Sequence, residues 1–334
     1  MAMNRPIESE NKSSRLDMGE LVYQNCWAFM RELRTHNKTK RIYPVDPYAE
    51  VYQYRDNMYA IFLESTGGGG DAWSYLIIGP EKAMLIDTGF GLGDLKGLVD
   101  EITGGMPLIV ANTHPHGDHV GGNSQFERVY ILEDDAVDLR RVMTAPQNPA
   151  RTFHPDGSPR FLRFDKTDLI PRREYEIVPV PDGYVFDLGG GYEIETIQLA
   201  GHAKGQAAFL DKTGRCLYCG DDIIGMRVSV YGSMAVIRDF RDRMARLAAR
   251  AGEFDGIFPG HFVLDLENIC PQLMVDALDR IIADPEDYDY VEERGNHGTT
   301  YCKAVVGLGS IGYNRECFGQ EEPGPVTSQP AGGK

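Results

Sequence analysis

The chain has 334 residues, with 34 basic and 50 acidic side chains and a formal net charge of −16. Apolar residues make up 42% and charged residues 25%, which excludes wholesale disorder in a chain long enough to bury a sizeable core. The acidic balance argues against nucleic acid or an anionic membrane surface as partner, because polyanions are repelled at long range.

Residues 1–20 are polar and read as a loosely attached arm, without the apolar stretch of a signal peptide. No run approaches the roughly eighteen apolar residues of a membrane span, so a cytoplasmic location is expected. Six cysteines in this length do not make a disulfide framework, and a reducing compartment suits them. Helical spacing predicts a helix over 20–36. Alternation with aromatic and β-branched residues predicts strands at 51–64 and 72–78, joined by the flexible stretch TGGGGD. A strand at 83–89, a helix at about 92–103 and a doubly buried strand at 107–113 follow. Residues 143–182, rich in Pro, Arg and aromatics, read as a long functional loop. Strands are expected at 184–187, 192–199, 206–211 and 215–219, then a helix at 237–251, a helix at 267–283 and a strand at 300–313. The Gly/Pro/Ser-rich tail after 319 is expected to be unstructured. Strands interleaved with helices suggest a layered α/β domain, and no internal repeat is visible.

Three of the eight histidines fall in the window His114-Pro-His116-Gly-Asp118-His119, directly after the buried strand. A lone histidine is usually an ordinary core or surface residue. Three in six residues, with a carboxylate among them at a strand end, form a donor set for a borderline divalent metal, zinc in particular.

The stretch THPHGDHVGGN resembles the His-x-His-x-Asp-His signature of the metallo-β-lactamase fold hydrolases, on the glyoxalase II/lactonase-like side of that superfamily. LIDTG at 85–89, AGHAKGQAAFLD at 200–211, YCGDDI at 218–223 and FPGH at 258–261 resemble further elements of the family in its order. The resemblance implies an α/β (α+β) fold, a four-layer αββα sandwich over residues 46–265. Residues 1–45 would then be an N-terminal extension, and 266–318 a helix–strand addition that packs on the domain or builds a homodimer interface. It also implies two Zn2+ per chain, with Mn or Fe as alternatives. His114, His116 and His202 would hold one ion, Asp118, His119 and His261 the other, and Asp221 would bridge them. Asp118 would also be catalytic, orienting an activated hydroxide or taking a proton. Asp87 would orient the ligands, and Asp222 would point to a neighbouring loop or to solvent.

The implied activity is hydrolysis of an ester, lactone or thioester of a small molecule by metal-activated hydroxide. Two other readings stay open on the same ligands: a mononuclear iron oxygenase of the persulfide dioxygenase type, and a non-catalytic binding module. His202 is followed by Ala-Lys-Gly-Gln where the family has Thr-Pro-Gly-Ser, so Lys204 is a candidate substrate contact, as are Arg227, Tyr231 and His154. Arg151, Arg160 and Arg163 in the long loop share that candidacy. Cys216 and Cys219 have C-x-x-C spacing, but strand alternation would separate their side chains.

Overall fold

The computed structural model describes residue 34 and residues 37–66, 71–145, 149–293 and 299–318. The expected arm, the expected helix apart from residue 34, the core of TGGGGD and the tail after 318 lie outside them.

The first sheet has eight strands in sequence order: β1 (Arg41–Tyr43), β2 (Asp46–Arg55), β3 (Met58–Leu63), β4 (Ala72–Ile78), β5 (Ala83–Ile86), β6 (Leu108–Ala111), β7 (Arg128–Leu132) and β8 (Glu176–Val180). The second has six: β9 (Val185–Asp187), β10 (Glu193–Gln198), β11 (Ala207–Asp211), β12 (Cys216–Gly220), β14 (Gly256–Pro259) and β15 (Leu266–Glu267). A four-stranded sheet combines β13 (Arg227–Ser229), β16 (Tyr290–Glu293), β17 (Thr299–Val305) and β18 (Gly309–Tyr313). Both β1 and β15 join sandwich sheets, so the sandwich reaches beyond 46–265 at either end.

Two expected strands are hairpins. The run 51–64 folds at Asp56 and Asn57, where Asn57 Nδ2 donates to Ile78 O and Tyr192 Oη, and alternation continues on both sides of the turn. The run 300–313 folds at residues 306–308 around Gly307, whose φ of 84° suits glycine. The long loop 143–182 also contains β8 and a helical turn, Pro149–Thr152. Strand β7 escaped the sequence reading altogether.

The helices are α1 (Leu95–Thr103), α2 (Gly117–Val120), α3 (Ala136–Thr144), α4 (Met234–Ala248) and α5 (Cys270–Ala283). The apolar face of α1 (Leu95, Leu98, Val99) covers Val51, Ile61 and Leu85 on the outer face of the first sheet. Phe62, Trp73, Tyr75, Tyr218 and Phe258 fill the space between the sheets. Leu210, Leu217 and Cys219 on the far face of the second sheet meet α4 and α5. This is the αββα layering, with the four-stranded sheet added on the α4/α5 side through Val305, Ile311 and Tyr313. Cys216 belongs to the inter-sheet core and Cys219 to the helix side, so the C-x-x-C pair points apart, and both are free thiols. Among the described residues no helix is long and apolar enough to cross a membrane.

Strands β5 and β6 run parallel, as do β12 and β14. Their C-terminal ends, together with that of β10, open onto one edge of the sandwich.

Candidate metal centre

Each of those strand ends delivers a donor. Asp87 follows β5, His114 to His119 follow β6, His202 follows β10, Asp221 follows β12 and His261 follows β14. The one-turn helix α2 sets Asp118 and His119 on the same side as His114 and His116. It is tied to the end of β5 by Thr88 N–H to His119 O at 2.8 Å and Gly121 N–H to Gly89 O at 2.7 Å. Beneath it, buried Asn112, Asn123 and Thr88 bond one another, with Thr88 Oγ1 to Asn123 Oδ1 at 2.8 Å and Asn123 Nδ2 to Asn112 Oδ1 at 2.8 Å.

The ligand atoms of His114, His116 and His202 lie within 4.8 Å of one another. So do those of His114, His119 and Asp221, and those of Asp118, His119 and His261. Asp221 stands between the outer groups, 3.4 Å from His202 Nε2 and 3.3 Å from His261 Nε2.

The hydrogen bonds behind the rings decide what can sit in front of them. His119 Nδ1 meets Asp87 Oδ2 at 2.8 Å, His202 Nδ1 meets Ser229 O at 3.0 Å and His261 Nδ1 meets Asp71 O at 2.6 Å. These oxygens can only accept, so each Nδ1 donates, and in the neutral ring each Nε2 keeps a lone pair. Thr113 Oγ1 donates to Asp87 Oδ2, and so accepts from His114 Nδ1 at 3.0 Å. In neutral rings, lone pairs then face one another across 3.2 Å between His119 and His261. Likewise His114 Nε2 and His202 Nε2 both stand 2.9 Å from His116 Nδ1. Buried Asp221 Oδ1 has no hydrogen-bond partner. Converging lone pairs and an orphaned carboxylate oxygen fit divalent cations, not a hydrogen-bonded core.

The electrostatics agree. Burial opposes charge on His119, but Asp221, Asp87 and Asp118 outweigh it and push its pKa well above the ordinary value. His261 rises to about 10 against the same opposition, through Asp221 and Asp118. Burial would lift Asp118, yet the neighbouring His119 and His261 bring it down to about 2. Burial and neighbouring imidazoles lower His114, and burial takes His116 down to about 4. Protons thus gather where a cation would bind, and would be displaced by one.

Two glycines shape the space. Gly220 has φ +54°, and a Cβ there would lie 2.3 Å from Gln206 Nε2. A Cβ on Gly260 would lie 2.6 Å from His119 Cε1 and 2.7 Å from Asp221 Oδ1.

Asp87, 2% exposed, accepts from Thr113 N–H and Thr113 Oγ1, each at 2.8 Å, besides His119. Asp222 is fully buried, not solvated; its Oδ1 accepts the His202 N–H at 2.9 Å, which steadies the 200–205 turn. Lys204 is exposed on that turn. Arg227 pairs with Glu292 inside the four-stranded sheet. Tyr231 is 53% exposed, two residues beyond the Ser229 carbonyl that holds His202. His154 is exposed, and its backbone N–H closes a local turn onto Ser158 O. The carbonyls of Asp71 and Ser229, and Asp135, which accepts from Gly205 N–H at 2.8 Å, were not foreseen. Backbone acceptors carry no side-chain signal.

The family model described as the metallo-beta-lactamase superfamily matches residues 67–224. The "Acyl-coenzyme A thioesterase MBLAC2" of Homo sapiens is 28% identical over 222 residues, 60% of this chain and 75% of that protein. The "Atrochrysone carboxyl ACP thioesterase nsrC" of Aspergillus novofumigatus is 25% identical over 155 residues, 46% of this chain and 38% of that protein. In fold, the metallo-beta-lactamase from Pontibacter korlensis superposes with a TM-score of 0.50 at 16% identity, covering 69% of this chain and 99% of that one. With its motifs in family order, its αββα layers and a family-model match over residues 67–224, the chain shares the fold and the site motifs of the metallo-β-lactamase superfamily, whose thioesterase-named relatives support a hydrolase.

Proposed function

We propose that the chain hydrolyses a thioester with water activated by two zinc ions. The observation that carries this reading is the convergence of five imidazoles, four of them oriented by an oxygen behind the ring, and two carboxylates. His114, His116 and His202 hold one ion, Asp118, His119 and His261 the other, and Asp221 lies between. When bound, such a pair lowers the pKa of water from 15.7 toward about 7 and polarises the substrate carbonyl. Asp118, with its side chain 26% exposed, is the ligand carboxylate most open to solvent, and it orients the water or takes its proton. Asp87 fixes the tautomer of His119. The nitrogen-rich donor set favours zinc over hard, oxygen-seeking cations. Thioesters are favoured over lactones and other esters because both of these relatives are named as thioesterases.

Elemental analysis of protein purified without added metal should find two zinc per chain, together with turnover of a short acyl thioester. One iron per chain without thioester turnover would favour an oxygenase instead. Substituting His119→Ala should lower kcat by at least about 10³-fold while circular dichroism keeps the fold signal; unchanged turnover would sink the two-metal reading.

A further inference from the structure

Residues 139–173 carry eight arginines and lysines against three aspartates, in a chain of net charge −16. Arg140, Arg151, Arg160, Arg163, Arg172 and Arg173 are exposed, and none pairs with a carboxylate among the described residues. Arg160, Arg172 and Arg173 donate to carbonyls of Phe153, Val142, Ala145 and Ser124, which positions them without neutralising them. Elsewhere arginines commonly end on acids: Arg55 on Asp265, Arg215 on Asp255, Arg250 on Glu195 and Glu253. Arg141 meets Asp138, but the six other guanidiniums of the segment lack the compensation that such a pair gives. An anionic ligand supplies that compensation, and guanidiniums suit phosphate.

The segment borders the metal centre on two sides. Ahead of it, Asp135, four residues before its start, holds the turn that carries His202 through the Gly205 N–H. At its end, Gly93 N–H donates to Asp168 O at 2.9 Å and Ile170 N–H to Gly91 O at 2.8 Å, beside the Asp87 strand end. Arg172 and Tyr175 line a surface depression with Gly117, Val120 and Ser124. Between Arg160 and Arg163 stands Phe161, 59% exposed. An open aromatic face among phosphate donors suits a nucleotide, whose base can stack while its phosphates pair.

We infer that this segment docks the nucleotide end of a coenzyme A thioester. The guanidiniums take the phosphates, Phe161 stacks on the adenine, and the pantetheine arm carries the thioester to the strand-end cluster. The inference rests on the thioester reading above and names the carrier. An acidic carrier protein would also be attracted by the charges, but the exposed ring among them favours the base.

Two measurements test it. Acyl-coenzyme A and the same acyl group on N-acetylcysteamine, which lacks the nucleotide, are compared as substrates. The ratio of their kcat/KM values should exceed about ten, should fall at least about ten-fold in the triple variant Arg151→Glu, Arg160→Glu, Arg163→Glu, and should fall less in Phe161→Ala. Adenosine 3′,5′-bisphosphate binding by calorimetry should weaken in parallel and with added salt, while Lys82→Glu, at the opposite end of β5, leaves it unchanged. A ratio near one, or one that survives the triple reversal, overturns the inference and leaves the hydrolase reading standing. Turnover of acyl-carrier protein that is lost on reversal while the coenzyme A ratio holds assigns the surface to a protein, and also overturns it. Failure to bind the bisphosphate overturns it whatever the turnover. Binding without turnover of either thioester retains the nucleotide subsite and removes the thioesterase.

Discussion

At the strand ends, four of the five clustered imidazoles are gripped from behind by a fixed oxygen; along residues 139–173, six exposed guanidiniums have no acid to meet them among the described residues. The two regions touch, yet they solve different problems. Activating water requires donors fixed to a fraction of an ångström in a low-dielectric setting, so the cluster is buried and hydrogen-bonded through several layers. Catching a charged, flexible carrier requires reach and long-range attraction, which exposed side chains on a loop provide. Errors should therefore be costly at the cluster and graded on the loop.

The largest effect that would sharpen this contrast comes from one methyl group. Gly260→Ala pushes into His119 and Asp221, and kcat/KM should drop by about 10²-fold or more, because misplacements near 1 Å cost that much. A loss below about five-fold would show that the cluster yields like the loop. Next, Asp87→Ala frees the His119 ring and leaves the Thr113 N–H and hydroxyl without their acceptor. Zinc affinity measured by competition with a chelator should fall by about 10- to 100-fold.

The smallest expected effect lies where the regions join. Asp135 is buried, and burial raises its carboxyl to about 6 from 3.8. A raised carboxyl favours the folded state when protonated. Its contribution is full below about pH 4 and is lost as pH climbs through about 6. Asp135→Asn keeps an acceptor for Gly205 N–H, and should be the more stable protein at pH 8 by about 1–3 kcal/mol, with the advantage gone at pH 4. Equal melting differences at both pH values would remove Asp135 as a titrating joint. Asp46, also raised by burial to about 6, keeps part of the pH slope in either protein.

The cluster was legible in the sequence because its densest part is local: four donors within six residues need no tertiary information to be noticed. His202, Asp221 and His261 were legible because short motifs mark three separate strand ends. The hairpin turn at Asp56 and Asn57 was not, since alternation runs on through it and a two-residue reversal leaves the period intact. The partner of Arg227 was not legible because sequence position after Asp221 does not reveal Glu292, 65 residues away and across a sheet. The oxygens that orient His202 and His261 belong to backbone, which every residue offers equally.

The distribution of donors over two sheets has a mechanical consequence. The first sheet supplies His114, His116, Asp118 and His119, and the second supplies His202, Asp221 and His261. Ions seated among them would act as a clasp at one open edge of a sandwich that apolar contact between Tyr75, Tyr218 and Phe258 also holds. Loading the clasp and docking the sheets are then one linked equilibrium, so tight metal binding raises the unfolding temperature with the logarithm of free metal, and a chelator becomes a gauge of how firmly the two halves cohere.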